Sequence, residues 1–154
     1  FNHFVDFLRE AAIDPKVTNI YITLYRTAEH SKVINTLVNA ARNGKHVVAL
    51  IELLARFDEE QNMDSVRTLQ RAGVKVLNGI RDLKVHAKMA LVERKEGHEH
   101  RGYAYIGTGN LNETTARLYS DMGLFTSHPE IVNDARSIFS FLLNTHKHFT
   151  CKRL

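Results

Sequence analysis

The segment 46–53, HVVALIEL, is apolar at almost every position, a pattern that a strand carries when both of its faces are covered. Such strands belong to sheets with helices packed above and below, and the flanking sequence supplies the helices. Upstream, VTNIYITL at 17–24 is rich in β-branched and aromatic residues and predicts a second strand. Between the two, Val33, Ile34, Leu37, Val38 and Ala41 recur at helical spacing before Gly44, which suits the end of a helix. The plan then repeats. Met63, Val66, Leu69 and Ala72 space another helix, Gly73 stops it, and 74–77 form a short strand. Strand, helix, strand, helix, strand predicts a parallel or mixed sheet with crossover helices. At the start, Phe4, Val5, Leu8, Ala11 and Ala12 space an amphipathic helix that closes at Asp14-Pro15.

After Gly79 the rhythm changes to closely spaced strands at 83–92 and 102–107, separated by the polar run RKEGHEHR, and a further strand at 119–126. A last helix opens on Ser127-His128-Pro129-Glu130, a capping-box spacing, and presents Ile131, Val132, Ala135, Ile138, Phe139 and Leu142 on one face. The expected architecture is an α/β sandwich: one mixed, mostly parallel sheet with helices on both faces. A chain of 154 residues, 44% hydrophobic, fits one domain.

Lys and Arg outnumber Asp and Glu by 21 to 17, for a formal charge of +4, which favours anionic partners. The apolar runs are too short to span a membrane, and the first residues lack the order of a signal peptide. Cys151 stands alone, which excludes an internal disulfide and a cysteine-based zinc site and fits a reducing cytosol. The chain opens on Phe1 and closes on Cys151-Lys152-Arg153-Leu154, so it is expected to be a piece of something longer.

Chemistry concentrates in LKVHAKM at 83–89. Read as a strand, Leu83, Val85, Ala87, Met89 and Leu91 face a core and Lys84, His86 and Lys88 share the other face. Neighbours on that face stand roughly 6 to 7 Å apart, a spacing that suits a phosphate group. Alone, His86 and Lys88 fit a solvated strand face better than a site. The downstream IGTGNLNE at 106–113 changes the balance, because glycines let backbone N–H groups approach an anion and Asn110 adds an amide donor. Asn112 and Glu113 are expected to open a short helix there. Together these residues suggest nucleophilic chemistry, in which neutral His86 attacks phosphorus while Lys88 and Asn110 stabilise its oxygens. Metal binding by His86 is the poorer alternative, since no carboxylate or second histidine sits at ligand spacing from it.

Arg26 and Arg56 each follow a strand, where α/β sheets place ligand sites, and their planar forks suit phosphate oxygens. Each could instead pair with a local acid such as Glu29 or Asp58. Tyr119, two residues after Arg117, could stack on a base or donate to an oxygen. The other histidines lie in the polar hairpin, the tail or near element ends.

These segments, in order FLREAAIDPKV, TLYRTAEHSKVINTLVNAARNGKHV, ELLARFDEE, LKVHAKM and IGTGNLNETTARLYSDMGLFT, resemble the first C-terminal catalytic domain of polyphosphate kinases, within the phospholipase D-like superfamily. The resemblance covers nearly the whole chain and implies a single phospholipase D-like half-domain of a larger multidomain kinase. It implies reversible transfer of the terminal phosphate of ATP to inorganic polyphosphate, with His86 phosphorylated in turnover and Tyr119 contacting ATP. Arg26 and Arg56 fall on the magnesium (Mg2+) and phosphate site; as cations they would hold phosphates that the metal bridges. ATP, ADP and polyphosphate are the implied ligands, with no nucleic acid, and the remaining domains of the same polypeptide and a homo-oligomer of the full-length enzyme are the implied partners. The implied location is cytoplasmic, extending to the periphery of the inner membrane.

The chain departs from the wider superfamily pattern in carrying Glu93 five residues after Lys88, and GTGN in place of GS-x-N. The family site is completed by a second histidine-bearing domain and an N-terminal part, so the isolated chain is expected to fold but to transfer phosphate poorly. Two further functions compete: a phosphodiesterase or nuclease half-site completed by dimerisation, and a polyanion-binding module without catalysis.

Overall fold

Alternation along the strands sorts the side chains into two cores, one on each face of a six-stranded sheet. The computed structural model describes residues 1–52, 59–80 and 83–154. In chain order these form α1 (Asn2–Ile13), β1 (Val17–Leu24), α2 (Lys32–Arg42), β2 (His46–Ile51), α3 (Glu59–Arg71), β3 (Lys75–Asn78), β4 (Lys88–Glu96), β5 (Glu99–Gly107), α4 (Thr115–Leu118), β6 (Gly123–Thr126) and α5 (Pro129–Leu143).

On β1, Ile20, Ile22 and Leu24 enter the first core while Tyr21 packs on the second. On β4, Ala90 and Val92 enter the first core, and Met89 and Leu91 the second. The first core is closed by Phe4, Val5 and Leu8 of α1, by Val33 and Leu37 of α2, and by Val66 and Leu69 of α3; Val132, Ala135, Phe139 and Leu142 of α5 close the second. Each large aliphatic side chain buried this way contributes about 1.5–3 kcal/mol relative to exposure. The nearly continuous apolar run at 46–51 is explained directly: all but His46 of β2 is buried, because helices cover both faces.

The strand order is β3-β2-β1-β4-β5-β6. Parallel pairing joins β1 to β2 and β2 to β3, where crossover helices connect them; the pairings β1 with β4, β4 with β5 and β5 with β6 are antiparallel. The mixed α/β sandwich with helices on both faces is as expected.

Two sequence expectations need correction here. Met63 was placed on the buried face of α3, yet it is exposed, and Asn62 and Ser65 take that face with Val66 and Leu69. The expected capping box at 127–130 does not form, since His128 is the N-cap without a side-chain bond and Pro129 occupies the first turn. Asp134, on the inward side of α5, instead accepts backbone N–H bonds from Lys152, Arg153 and Leu154 at 2.7–3.1 Å. Those bonds hold its carboxyl below the usual range.

Candidate functional site

Strand register brings the loops of interest to one end of the sheet. Leu24 lies beside Ile51 and Ile51 beside Asn78, while Lys88 pairs with Gly107 and Gly107 with Gly123. Tyr25 and Arg26, the segment 84–87, the turn 107–110 and the stretch 119–122 therefore all leave the sheet at the same end.

The segment before Lys88 is not the strand that its alternation predicts. β4 begins at Lys88, Leu83 is 40% exposed and makes an isolated bridge with Ile80, and Lys88 is 7% exposed. The physical reason is Thr23, a buried residue of β1. Its hydroxyl donates to the Ala87 carbonyl at 2.7 Å and accepts from the Met89 N–H at 3.1 Å. A side chain thus takes the place of ladder bonds where β4 enters the sheet. His86 stays exposed, while Lys88 turns inward and its ammonium donates to the His86 carbonyl at 2.5 Å.

Around Tyr25 the basic groups converge. The His86 and Tyr25 rings stand 4.8 Å apart at 84°, an edge-to-face geometry. Lys88 Nζ lies 5.3 Å, Lys84 Nζ 5.6 Å and Arg26 Cζ 6.0 Å from the Tyr25 ring centre, within cation–π range. Partial burial, then the charges of Lys88 and Lys84, push the His86 imidazole below its ordinary value of 6.5 and favour the neutral, nucleophilic form. Burial lowers Lys88 as well, against the opposing field of Asp121. The loop carrying Tyr25 and Arg26 is pinned from α3: fully buried Asn62 donates to the Tyr25 and Glu52 carbonyls at 3.1 and 2.8 Å and accepts from Thr27 N–H at 3.0 Å.

Across from these residues, the turn after β5 is shaped by close packing. A Cβ on Gly109 would meet Asp121 Oδ2 at 2.1 Å, so glycine there leaves room for the carboxylate. Asp121 in turn accepts from the Thr108 hydroxyl at 3.2 Å. The short α4 starts at Thr115 and not at the expected Asn112 and Glu113; Asn112 Oδ1 accepts from the N–H groups of Thr114 and Thr115 just ahead of it, at 2.9 and 3.1 Å. Glu113 Oε1 reaches back to the start of α2, accepting from Lys32 N–H at 2.5 Å and from the Ser31 hydroxyl at 3.3 Å.

Two hollows flank this turn. One, about 300 Å³, is lined by His86, Lys88, Gly107 and Thr108, with Ile138 and Leu154 as an apolar wall. The other, about 490 Å³, is lined by Asn110 and Tyr119 together with Phe4, Tyr105, Asp121 and Phe125. Asn110 therefore faces the hollow next to that of His86 and Lys88, and among the described residues nothing bonds to its buried Oδ1. Tyr119 caps the end of α4 and is 68% exposed; it precedes β6, which begins at Gly123 and not at the expected residue 119. Arg26 joins the His86 cluster, whereas Arg56 lies outside the described residues. Glu93 stands apart, accepting from Asn19 and Arg136 at 2.8 Å each.

Tyr25, Thr23, Asn62 and Asp121 were not singled out from the sequence. Only Asn62 and Tyr25 left a signal, the first as a polar residue on the apolar stripe 62, 66, 69 and the second as an aromatic at a strand's carboxyl end beside Arg26. Among the described residues no group of three or more His, Cys, Asp or Glu is placed to hold a metal ion. The arrangement suits an anion beside a neutral imidazole.

A family model described as polyphosphate kinase C-terminal domain 1 matches residues 1–148. The polyphosphate kinase of Vibrio cholerae is 48% identical over 144 residues, 94% of this chain and 20% of that protein. That of Escherichia coli K12 is 46% identical over 150 residues, 97% of this chain and 22% of that protein. The chain thus spans about one fifth of the curated relatives it matches. The crystal structure of polyphosphate kinase from Porphyromonas gingivalis superposes with a TM-score of 0.85 at 42% identity, over 99% of this chain and 26% of that one. Nuc from Salmonella typhimurium, a phospholipase D family member, superposes at 0.70 with 14% identity over 90% and 86% of the two chains, a likeness of fold alone. With a phospholipase D-like fold and a match over nearly its whole length, this chain belongs to the polyphosphate kinase C-terminal domain 1 family.

Proposed function

We propose that the chain is the part of a larger polyphosphate kinase that carries the phosphoryl-accepting histidine, and that His86 is that residue. The observation behind it is the cluster at Tyr25, where an exposed imidazole below its ordinary pKa stands among Lys84, Lys88 and Arg26. A neutral ring nitrogen of His86 attacks the terminal phosphorus of ATP, a P–N bond forms, and the P–O bond to ADP breaks with its electron pair leaving on ADP. The terminal oxygen of polyphosphate then attacks the same phosphorus, the P–N bond breaks, and neutral imidazole returns. Lys88 neutralises the transferring oxygens and Arg26 and Arg56 hold neighbouring phosphates bidentately. Asn110 and Tyr119, on the adjoining hollow, serve the nucleotide end of the donor.

Magnesium has no protein cage among the described residues, and arginines do not ligate it. In this reading Arg26 and Arg56 would hold the phosphates of the nucleotide, and magnesium bound there would supply charge neutralisation. The other domains of the polypeptide complete the site, in a cytoplasmic, oligomeric enzyme extending to the periphery of the inner membrane.

The test uses the chain with its native flanks and ATP labelled on the terminal phosphate. Acid-labile label on the protein is expected, and its loss in His86→Ala. Unchanged labelling in that variant removes His86 from the role, and hydrolysis of a simple phosphodiester abolished by the same substitution moves the function to phosphodiester cleavage.

A further inference from the structure

We propose that Tyr25 is a positioning residue for the transfer: its ring fixes the orientation of the His86 imidazole and gathers Lys84, Lys88 and Arg26 about one centre. This rests on the phosphohistidine reading and adds to it a residue that holds the nucleophile in place.

His86 needs such a support because it sits outside the strand, exposed, on a segment whose ladder bonds have been replaced by the Thr23 hydroxyl. The segment 84–87 lies outside the strands, and the Tyr25 ring, 4.8 Å away and nearly perpendicular, is the contact that orients the His86 ring. The support is itself anchored. Leu24 ahead of Tyr25 is in the core, and the Tyr25 carbonyl is bonded by Asn62, which is fully buried. The platform thus comes from the end of β1 and from α3, outside the segment that carries His86.

The same ring also answers a problem of charge. Three cations near an imidazole repel one another, and the negative face of an aromatic ring offsets that repulsion before any phosphate is present. Lys88, Lys84 and Arg26 all lie within 6.0 Å of the ring centre. Asp121 adds an opposing charge felt by Lys88 from the far side. A phosphoryl group entering this cluster meets donors already placed relative to the nucleophile, which is where orientation lowers a barrier.

The experiment compares Tyr25→Phe with Tyr25→Leu in the flanked enzyme and, for spectroscopy, in the 154-residue chain. Phe keeps the ring and is expected to label within about threefold of the wild-type rate, while Leu slows labelling by about tenfold or more, chiefly in kcat and less in KM for ATP. In parallel, the His86 ring-proton resonances, displaced by the adjacent aromatic ring, are expected to be kept in Phe and to move in Leu. Wild-type rates or unmoved His86 resonances in Leu overturn the proposal. So does a Phe variant as slow as Leu, since the hydroxyl and not the ring would then matter. If the wild type shows no label on His86, the phosphohistidine reading fails, and the resonances still decide whether Tyr25 holds the ring.

Discussion

Lys88 illustrates how one residue serves structure and electrostatics together. Its ammonium is largely buried, bonded to the His86 carbonyl, and close enough to lower the His86 imidazole. A charge that disfavours imidazolium stops doing so when it is removed. Lys88→Met is therefore expected to raise the His86 titration toward 6.5, measured by histidine NMR across pH 4–8; a downward or absent shift would exclude the assigned cause. Under the proposed function, in which the neutral ring is the acceptor, the acid limb of phosphoryl labelling moves the same way. Some of this was legible in the sequence: His86 and Lys88 were named from their pattern and Arg26 from its place after a strand. Tyr25 was passed over, because its importance comes from three partners that lie far from it along the chain.

At the level of elements, the apolar patterns were the dependable guide. The strand at 17–24 and the helices that end just before Gly44 and Gly73 appear where their spacing predicts, since burial on one or both faces dictates the period. The alternation at 83–87 misled because a hydroxyl 64 residues away takes the Ala87 carbonyl, a competition invisible to local pattern. Thr23→Val keeps the shape of that side chain but leaves the Ala87 carbonyl and Met89 N–H without their partner. A loss of about 1–3 kcal/mol is expected, read by urea unfolding, with faster amide exchange at Met89; an unchanged midpoint would show that the ladder closes without it. Asn62 makes a related point, for its polar place in the stripe of α3 marks a bond to another loop and not a defect in the helix.

At the scale of the whole molecule, six strands with a core on each face carry two hollows at one end of the sheet. The curated relatives that share this domain are about five times longer. The 154-residue chain alone is expected to melt cooperatively and to take up phosphate from ATP at least about tenfold more slowly than the flanked protein, compared by the same labelling assay. Equal rates would place the entire machinery within this domain. One feature of the tail bears on how such a domain answers to its surroundings. Leu154 walls the hollow of His86 while its amide is bonded to Asp134 on α5. The wall of that hollow and the buried face of α5 therefore share one carboxylate, and Asp134→Asn, with weaker acceptors for three backbone N–H groups, loosens both together.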